Sequence, residues 1–348
     1  MPLRVILDTD PGIDDSLAIL LALASPEIDL AAVGVTGGNC SLEDGVRNAL
    51  NVLAVAGHTE KPVCAGIALP LIRPPFTAPE THGDTGLGYA RLPAAPIGPA
   101  NEHAVDMIIR EIMARPGEVT LVAVAPLTNV AVAIRKEPRI VQAVREVIIM
   151  GGALRADGNT TSLAEFNFYV DPHAAHIVLE SGMPITLLPW DISKDVLLTQ
   201  FDIDRLLKIP SPITRFIADA TRFYIEFHEA VFGYSGCSIN DPIALALAFL
   251  PDLARTEAMH VAVEYTSELT AGKSVIAYVG DHQREPDAHD QLGYDVERWP
   301  MQWGRKVRSK PNARVVVAFD TERFIALFVE RMEQLARKQL RKHPAPQT

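Results

Sequence analysis

Four aspartates near the N-terminus have the residue type and the spacing to act together. Asp8, Asp10, Asp14 and Asp15 fall within eight residues, where an apolar run of strand type ends and a helical pattern begins. Carboxylates this close repel one another, and a divalent cation would neutralise them. All-oxygen ligands suit a hard cation, Ca²⁺ or Mg²⁺. Since ligands bind at the carboxyl edge of open α/β sheets, this stretch predicts a cation site there. An Asp serving as helix N-cap would explain only one or two of the four.

Composition bounds the class of protein. The 348 residues are 48% hydrophobic and 22% charged, typical of a globular protein with a sizeable core. The net charge of −11 argues against non-specific nucleic-acid binding. Three cysteines, Cys40, Cys64 and Cys237, suit a reducing compartment better than a disulfide framework. With no leader pattern and no apolar run near the ~20 residues of a membrane span, we expect a cytoplasmic protein without nucleic-acid or membrane partners.

The elements that must position these residues alternate between strand and helix through the first half, and the second half is more helical. Strand patterns cover Leu3 to Asp8, Ile28 to Val35, Pro62 to Ala65, Val119 to Val124, Glu146 to Met150, Pro184 to Leu188, Met259 to Thr266, Ser274 to Val279 and Ala313 to Phe319. Helix patterns cover Asp14 to Ala24, Ser41 to Ala56, Glu102 to Ala114, a segment opening at 126–129, Asp171 to Ser181, Pro212 to Ala230, Pro242 to Leu250 and Thr321 to Gln339.

This alternation predicts an α/β fold, a mostly parallel sheet with helices on both faces. No linker, repeat or low-complexity segment interrupts it. We therefore expect one domain over residues 1–340, followed by a disordered tail over residues 341–348.

Three further features lie at predicted loops and strand ends. The loop from Leu69 to Ala100 is long enough to be functional or disordered, and it contains His82, which titrates near neutral pH. Asn39 follows the second strand, at the same sheet edge as the aspartates, although a turn also suits Asn. Val124 precedes an Ala-Pro step that breaks the ladder and can leave its carbonyl free to bind a cation.

Polar residues in the second half suggest a binding site. Asn159, Glu165 and Asn167 would suit recognition of several hydroxyl groups, or simply a polar loop. Asp241 precedes a very apolar helix, where it is either an N-cap or a distant ligand that completes the cation shell. Tyr224 and His228 lie at i, i+4 on one helix, consistent with packing at a solvated edge or with the lining of a base pocket.

Taken together, these motifs resemble the inosine-uridine-preferring nucleoside hydrolase family from Leu3 to about Arg331. The resemblance rests on DTDPGIDD at 8–15, GGN at 37–39, HGDTGL at 82–87, LVAVAPLTN at 121–129, MGG at 150–152, GNTT and AEFN within 158–167, ND at 240–241 and PNARVVV at 311–317. The order and number of these motifs make the resemblance specific.

The resemblance implies a Rossmann-like single domain with one Ca²⁺ at the base of a deep pocket. Asp10, Asp15, Asp241 and the Val124 carbonyl would ligate the ion, and Asp14 would be the general base. The implied reaction cleaves the N-glycosidic bond of a ribonucleoside through an oxocarbenium-like sugar. The ion would lower the pKa of a bound water, whose proton Asp14 would take.

The resemblance also assigns the substrate contacts. Asn39, Asn159, Glu165 and Asn167 would hold the ribose hydroxyls, with Met150 close by, and His82 would face the nucleobase. Family members are usually homodimers or homotetramers, so a nucleoside substrate and a second copy of the chain are the implied partners.

One position departs from the family pattern. Many members carry His immediately before the late metal-binding Asp, as a candidate acid for the leaving base, and this chain has Asn240. An amide can hydrogen-bond a base but cannot act as an acid of useful pKa. Activation of the leaving group must then come from His82, His228, Tyr224 or solvent, and we expect a substrate preference unlike that of His-bearing members.

Two alternative functions stay open from the residues alone. Asp8-Thr9-Asp10 after an apolar strand suits a haloacid-dehalogenase-like Mg²⁺ phosphatase with Asp8 as nucleophile, although Gly12 stands where that pattern wants Thr or Val. A Ca²⁺-dependent binder of nucleosides or ribose without turnover is the second alternative. The intact Asp14 argues against it.

Overall fold

The computed structural model describes residues 2–277 and 310–342. Its strands are β1 (Leu3–Thr9), β2 (Ile28–Val35), β3 (Val63–Ala65), β4 (Val119–Ala123), β5 (Glu146–Met150), β6 (Ile185–Leu188), β7 (Leu197–Thr199), β8 (Gly236–Ser238), β9 (Ala254–Val263), β10 (Ser274–Ala277) and β11 (Ala313–Phe319). Its α-helices are α1 (Ile13–Ala24), α2 (Leu42–Val55), α3 (Pro79–His82), α4 (Ala104–Ala114), α5 (Thr128–Lys136), α6 (Ile140–Ala143), α7 (Phe166–Val170), α8 (Pro172–Leu179), α9 (Trp190–Ser193), α10 (Gln200–Leu207), α11 (Pro212–Phe232), α12 (Asn240–Phe249) and α13 (Thr321–Lys342).

Within the described ranges, nine strands form one sheet in the order β10-β9-β11-β6-β5-β4-β1-β2-β3. Pairing is parallel from β3 through to β11, and β9 joins β11 and β10 antiparallel. The six strands 3-2-1-4-5-6 follow the order of a doubly wound nucleotide-binding fold. The prediction of a Rossmann-like α/β fold with a mostly parallel sheet is confirmed.

Successive side chains of a strand point to opposite faces, and the two faces carry separate layers of helices. Val5 and Leu7 pack with the layer that contains α1, α2, α11, α12 and α13, whereas Ile6 packs with the layer of α4, α5, α6 and α8. Because both faces are covered, the central strands read as continuous apolar runs rather than alternating ones.

Helix α1 is apolar nearly all round, which predicts a buried helix. The structure buries it from Ile13 to Ala22. The predicted cap of α2 is also present, because the Ser41 hydroxyl accepts a hydrogen bond from the Asp44 N–H. These two local signals place the N-termini of α1 and α2 at the carboxyl edge of β1 and β2.

Several predicted boundaries were wrong. Strand β9 starts at Ala254, five residues before the predicted Met259, because a 3₁₀ turn at Pro251–Leu253 ends the preceding helix early. The strand also ends at Val263, where Glu264 accepts hydrogen bonds from Thr266 and begins a turn.

At the C-terminus, α13 continues to Lys342, so the predicted disordered tail does not begin at residue 341. The rest of the predicted tail, residues 343–348, lies outside the described residues. The same holds for residues 278–279, the end of the predicted strand from Ser274 to Val279.

The three cysteines are free and buried. None of the described helices has the length and apolarity to cross a membrane.

Candidate active site

The aspartate-rich turn lies where the strand order reverses. Strand β1 pairs with β2 on one side and with β4 on the other, and the two successive crossovers leave in opposite directions. The Val124 N–H donates to the Asp8 carbonyl at 2.9 Å, which holds the ends of β1 and β4 together. Such a switch point leaves a crevice outside the carboxyl ends of the strands. Asp10 and Val124 therefore start the two loops that border it.

A cavity of about 260 Å³ opens at this crevice. Its lining mixes carboxylates, amides and aromatic rings, as small-molecule sites do. The predicted site residues among its lining are Asp14, Asn39, His82, Val124, Met150, Asn159, Glu165, Asn167, Tyr224, His228, Asn240 and Asp241. Asp10 and Asp15 are fully buried beside it. The fold thus brings together residues that lie up to 231 positions apart, from Asp10 to Asp241.

Three carboxylates meet at one point of this lining. Asp14, Asp15 and Asp241 each offer an oxygen, and these oxygens lie within 4.8 Å of one another. Burial, and then the carboxylates of Asp14, Asp15 and Asp10, raise the pKa of Asp241 well above its usual range. Asp15 and Asp241, predicted to ligate one cation, therefore lie together, and the third member of the group is the predicted general base Asp14, whereas the predicted ligand Asp10 is not part of it.

Hydrogen bonds fix Asp15 of the cluster and the neighbouring Asp10. Asp15 accepts from the Thr9 hydroxyl and the Asp10 N–H through one oxygen, and from the Gly12 N–H and the Asn39 amide through the other. The Asn39 N–H donates to Asp10 Oδ2 at 2.6 Å. Asn39 therefore positions both carboxylates, which a turn residue alone would not do.

Within the described residues, the strongest influences on the pKa values of Asp10, Asp14 and Asp241 include no Lys or Arg. Burial and the Asp15 carboxylate raise the pKa of Asp10 well above its usual range. Asp10 Oδ1 is buried without a hydrogen-bond partner in the described part of the chain. An orphaned oxygen within an all-oxygen donor set fits a hard divalent cation.

Asp14 lines the cavity directly, as Asp241 does. Its Oδ2 accepts from the Asn240 amide at 3.0 Å and from the Tyr224 hydroxyl at 3.3 Å. Burial and the Asp15 carboxylate raise the pKa of Asp14 to about 7, while the two donors act in the opposite direction. Positive charge nearby would lower this pKa and leave the group ionised.

The amides predicted to hold hydroxyl groups are themselves held by the backbone. Asn167 donates through Nδ2 to the carbonyls of Val124 and Met150, both at 3.1 Å, and Asn159 accepts the Phe166 N–H at 2.9 Å through Oδ1. Since both side chains also line the cavity, each presents its remaining polar atom in a fixed orientation.

Glu165 forms the cap of the short helix α7. Its carboxylate accepts the N–H groups of Gly152, Asn167 and Phe168. Burial raises its pKa to about 7 against these three donors. Because each carboxylate oxygen has more than one acceptor site, Glu165 can still accept a ligand hydroxyl.

The two histidines at the cavity are neutral near pH 7. Burial lowers the pKa of His82 and of His228 to about 4 in each case. His82 Nδ1 accepts from the Ile13 N–H at 3.2 Å, so its Nε2 carries the hydrogen. His82 is therefore a hydrogen-bond donor toward the cavity and a poor acid.

His228 is fully engaged by the protein. Its Nδ1 lies 2.8 Å from the Tyr224 carbonyl and must donate, so its Nε2 accepts from the Ser238 hydroxyl at 2.9 Å. It is buried rather than at a solvated edge, and its ring stacks edge-on against Tyr224 at 4.4 Å. With both nitrogens used, His228 has no free N–H for a leaving group.

Asp8 does not belong to the cavity. Its carboxylate accepts from the Asn129 amide at 2.9 Å, and it faces Gly34 on the opposite side of the sheet from Asp14. The phosphatase alternative needs this side chain as a nucleophile at the cavity, and the structure contradicts that placement.

Apart from Tyr224, the Phe and Trp residues of the lining were not predicted. Trp190 follows the carboxyl end of β6, the sheet edge already identified, so its position in the chain was a usable signal. Phe227 and Val231 continue the face of α11 that carries Tyr224 and His228 at helical spacing. The lining residues outside the predicted site are Phe76, Ala78, Glu80, Thr81, Thr160, Phe166, Trp190, Phe227, Val231 and Phe232.

Comparison with known proteins finds one family along nearly the whole chain. Residues 5–326 match the family model described as inosine-uridine preferring nucleoside hydrolase. A pyrimidine-specific ribonucleoside hydrolase, RihA, of Salmonella arizonae is 35% identical over 96% of this chain and 99% of its own. The inosine-uridine preferring nucleoside hydrolase of Crithidia fasciculata is 38% identical over 87% of this chain and 96% of its own.

Solved structures agree. The purine-preferring ribonucleoside hydrolase from Gardnerella vaginalis superposes with a TM-score of 0.84 at 32% identity, covering 96% of this chain and 99% of its own.

Proposed function

Because the chain belongs to the inosine-uridine preferring nucleoside hydrolase family, we propose that it hydrolyses the N-glycosidic bond of ribonucleosides in this cavity, with Asp14 as general base. Membership confirms that it is an enzyme, an N-glycosidase of the ribonucleoside hydrolase class. The observation that carries the proposal is the position of Asp14, which lines the cavity and shares one oxygen cluster with Asp15 and Asp241.

We infer that a Ca²⁺ ion occupies the carboxylate cluster during turnover. Asp10, Asp15, Asp241 and the Val124 carbonyl would hold it, and the orphaned Asp10 oxygen supports this assignment. When bound, Ca²⁺ would supply the positive charge that the cluster lacks and lower the pKa of water in contact with it.

Asp14 would move the proton. Beside a cation and in the first turn of α1, its ionised form is favoured. In that form it accepts a proton from water while the water oxygen bonds to C1′ of the sugar. The C1′–N bond breaks with its electron pair leaving on the base, and positive charge builds on the sugar in the transition state.

The sugar would lie against the amides. Asn39, Asn159, Glu165 and Asn167 would bind ribose hydroxyls, with Met150 in contact with the ring. A substrate without one of these hydroxyls leaves a buried polar group unpaired, which costs about 1–3 kcal/mol. The site would therefore prefer ribose to deoxyribose.

The nucleobase would lie toward His82 and the aromatic rings of Trp190, Phe227 and Phe232. The relatives' names span pyrimidine-specific, inosine-uridine preferring and purine-preferring hydrolases, so base preference depends on this chain's own lining. Since His82 is a poor acid and His228 has no free N–H, we infer that the base leaves with hydrogen bonding rather than protonation by a histidine.

Phosphorylated substrates fit this cavity poorly. Its described lining contains no Lys or Arg and includes the acids Asp14, Glu80, Glu165 and Asp241. A phosphate would meet negative charge without a cationic partner. The proposed substrates are therefore nucleosides rather than nucleotides.

The proposal carries three further expectations. Residues 1–340 would form the hydrolase domain, the enzyme would act in the cytoplasm, and it would assemble as a homodimer or homotetramer. Sedimentation of the full chain tests the last of these.

The decisive experiment incubates the purified chain with inosine, uridine, cytidine and adenosine and measures reducing sugar. We expect ribose release that stops on addition of EDTA, and loss of about 10²–10⁴-fold in kcat for Asp14→Asn because the general base is removed. Asp8→Asn serves as a second arm, because it would abolish a phosphatase.

Binding of nucleosides without any ribose release would instead identify a non-catalytic binder. Full activity of Asp14→Asn would refute the assigned mechanism.

A further inference from the structure

We propose that Asn240 is a positioning residue, which together with Tyr224 fixes the orientation of the Asp14 carboxylate for proton transfer. The inference rests on the proposed function, in which Asp14 is the general base. It assigns Asn240 a role through Asp14, whereas the residue type alone predicts a hydrogen bond from Asn240 to the base of the substrate.

The two donors converge on a single oxygen. Asn240 Nδ2 lies 3.0 Å from Asp14 Oδ2, and the Tyr224 hydroxyl lies 3.3 Å from the same atom. A carboxylate can rotate about its last side-chain bond, and two donors on one oxygen oppose that rotation. Asp14 then keeps its other oxygen in a constant direction to receive a proton.

The direction of the Asn240 amide supports this role. A carboxylate only accepts, so the nitrogen end of the amide must face Asp14. The oxygen end is buried and has no hydrogen-bond partner within residues 2–277 and 310–342. The contact with Asp14 therefore sets how the amide is turned.

The three side chains come from three helices that pack together. Asp14 is on α1, Tyr224 is on α11 and Asn240 begins α12. All three residues are at least nine-tenths buried, with exposures of 4%, 3% and 6%. A base held from two other rigid elements keeps its geometry better than one held within its own turn.

The test compares Asn240→Leu, Tyr224→Phe and the double variant. Leu keeps the branching of Asn at Cγ and removes the donor, and Phe removes only the hydroxyl of Tyr. We expect each single variant to lower kcat about tenfold to hundredfold, because each loses a hydrogen bond to a charged group, with KM changed by about twofold or less. The double variant should lose more than either single one, since no donor then remains on that oxygen.

Asn51→Leu is the matched control. Asn51 lies on α2, away from the cavity, and is buried to a similar extent as Asn240, with 8% exposure. Its Oδ1 accepts a hydrogen bond from the Ala95 N–H at 2.8 Å. It should lose thermal stability while keeping kcat. Titration calorimetry with ribose checks that the Asn240 and Tyr224 variants still bind sugar, and Asn240→Ala replaces Asn240→Leu if the latter does not fold.

An unchanged kcat for both single variants, or a raised KM with wild-type kcat, overturns the positioning role. The latter result would show that Asn240 contacts the substrate instead. Failure of the proposed function looks different, since the wild-type chain would then release no ribose or Asp14→Asn would remain active.

Discussion

At the residue scale, activation of the leaving base depends on which side-chain atoms can donate a proton to it. The family pattern places a potential acid before Asp241, and this chain places an amide there whose nitrogen faces Asp14. The neighbouring histidines do not compensate, because His82 is neutral with one nitrogen engaged and His228 uses both. Bases that leave easily without protonation should therefore be the better substrates.

Asn240→His tests this at the residue scale. An imidazole at this position can donate a proton, which typically contributes about 10²–10⁴-fold for poorly activated leaving groups. We expect the ranking of inosine, uridine, cytidine and adenosine by kcat/KM to change, with the slowest wild-type substrates gaining most. An unaltered ranking would show that position 240 does not govern base choice.

At the scale of elements, one carboxylate holds the segment that leads to Asn159. Asp191, at the start of α9, accepts the N–H groups of Leu154, Arg155 and Ala156 at 2.8, 2.6 and 2.9 Å. Charge-assisted bonds to three successive amides fix a loop that has no regular secondary structure. The sugar-binding amide thus depends on a helix that follows a different strand.

Asp191→Ala should loosen this segment without touching the cation cluster. We expect KM to rise about tenfold with a smaller change in kcat, because ribose contacts weaken while the Asp14 geometry persists. Steady-state kinetics with the best nucleoside measures both. Asp195→Ala is the control, since the ion pair of Asp195 among the described residues is with Lys194 at 3.3 Å on the surface, and this variant should behave as wild type. A fall in kcat at constant KM would contradict the role given to Asp191.

At the scale of the whole molecule, several buried carboxyl groups whose ionisation is unfavourable lie near one edge of the sheet. Burial raises the pKa of Asp8 and of Glu165 to about 7, against about 4 in an unfolded chain, and also raises the pKa values of Asp10 and Asp241 well above their usual range. The folded state therefore binds more protons than the unfolded state between these values. The stability that protonation provides is present at low pH and is lost as pH rises through about 7.

Metal-depleted protein should accordingly have a lower Tm at pH 8.5 than at pH 6.5. The histidines at the cavity act in the opposite direction, but only below about pH 6.5, because burial depresses their pKa values. Saturating Ca²⁺ should raise Tm by roughly 5 °C or more, and more at pH 8.5 than at pH 6.5, since the carboxylates must be ionised to bind it. Calorimetry after EDTA treatment, with Mg²⁺ in parallel, measures this. A Tm indifferent to both ions would mean that the cluster binds no cation.

Much of this arrangement was predictable from local sequence. Strand β1, helix α1 and the acidic turn between them follow from an apolar run, an apolar helix and Asp-Pro-Gly, so the sheet edge with its aspartates could be placed. Helix α10 was missed although Thr199 and Asp202 form its capping box, a usable signal.

Other features have no local signal. The contact of Asn240 with Asp14 joins residues 226 positions apart, and the engagement of His228 by Ser238 depends on how β8 returns beside α11. These contacts form only when the chain has folded. Residue types alone could therefore suggest His228 as an acid, but they could not show that both of its ring nitrogens are engaged.

The described lining of the cavity, which has carboxylates but no Lys or Arg, also limits which substrates the enzyme could use. Nucleotide coenzymes and nucleoside triphosphates would not be hydrolysed, and every sugar of intact RNA carries at least one phosphate ester. Substrate would reach the enzyme only after a phosphate-ester hydrolysis has stripped the 5′ position, so that reaction rather than this one would set how much base and ribose are released.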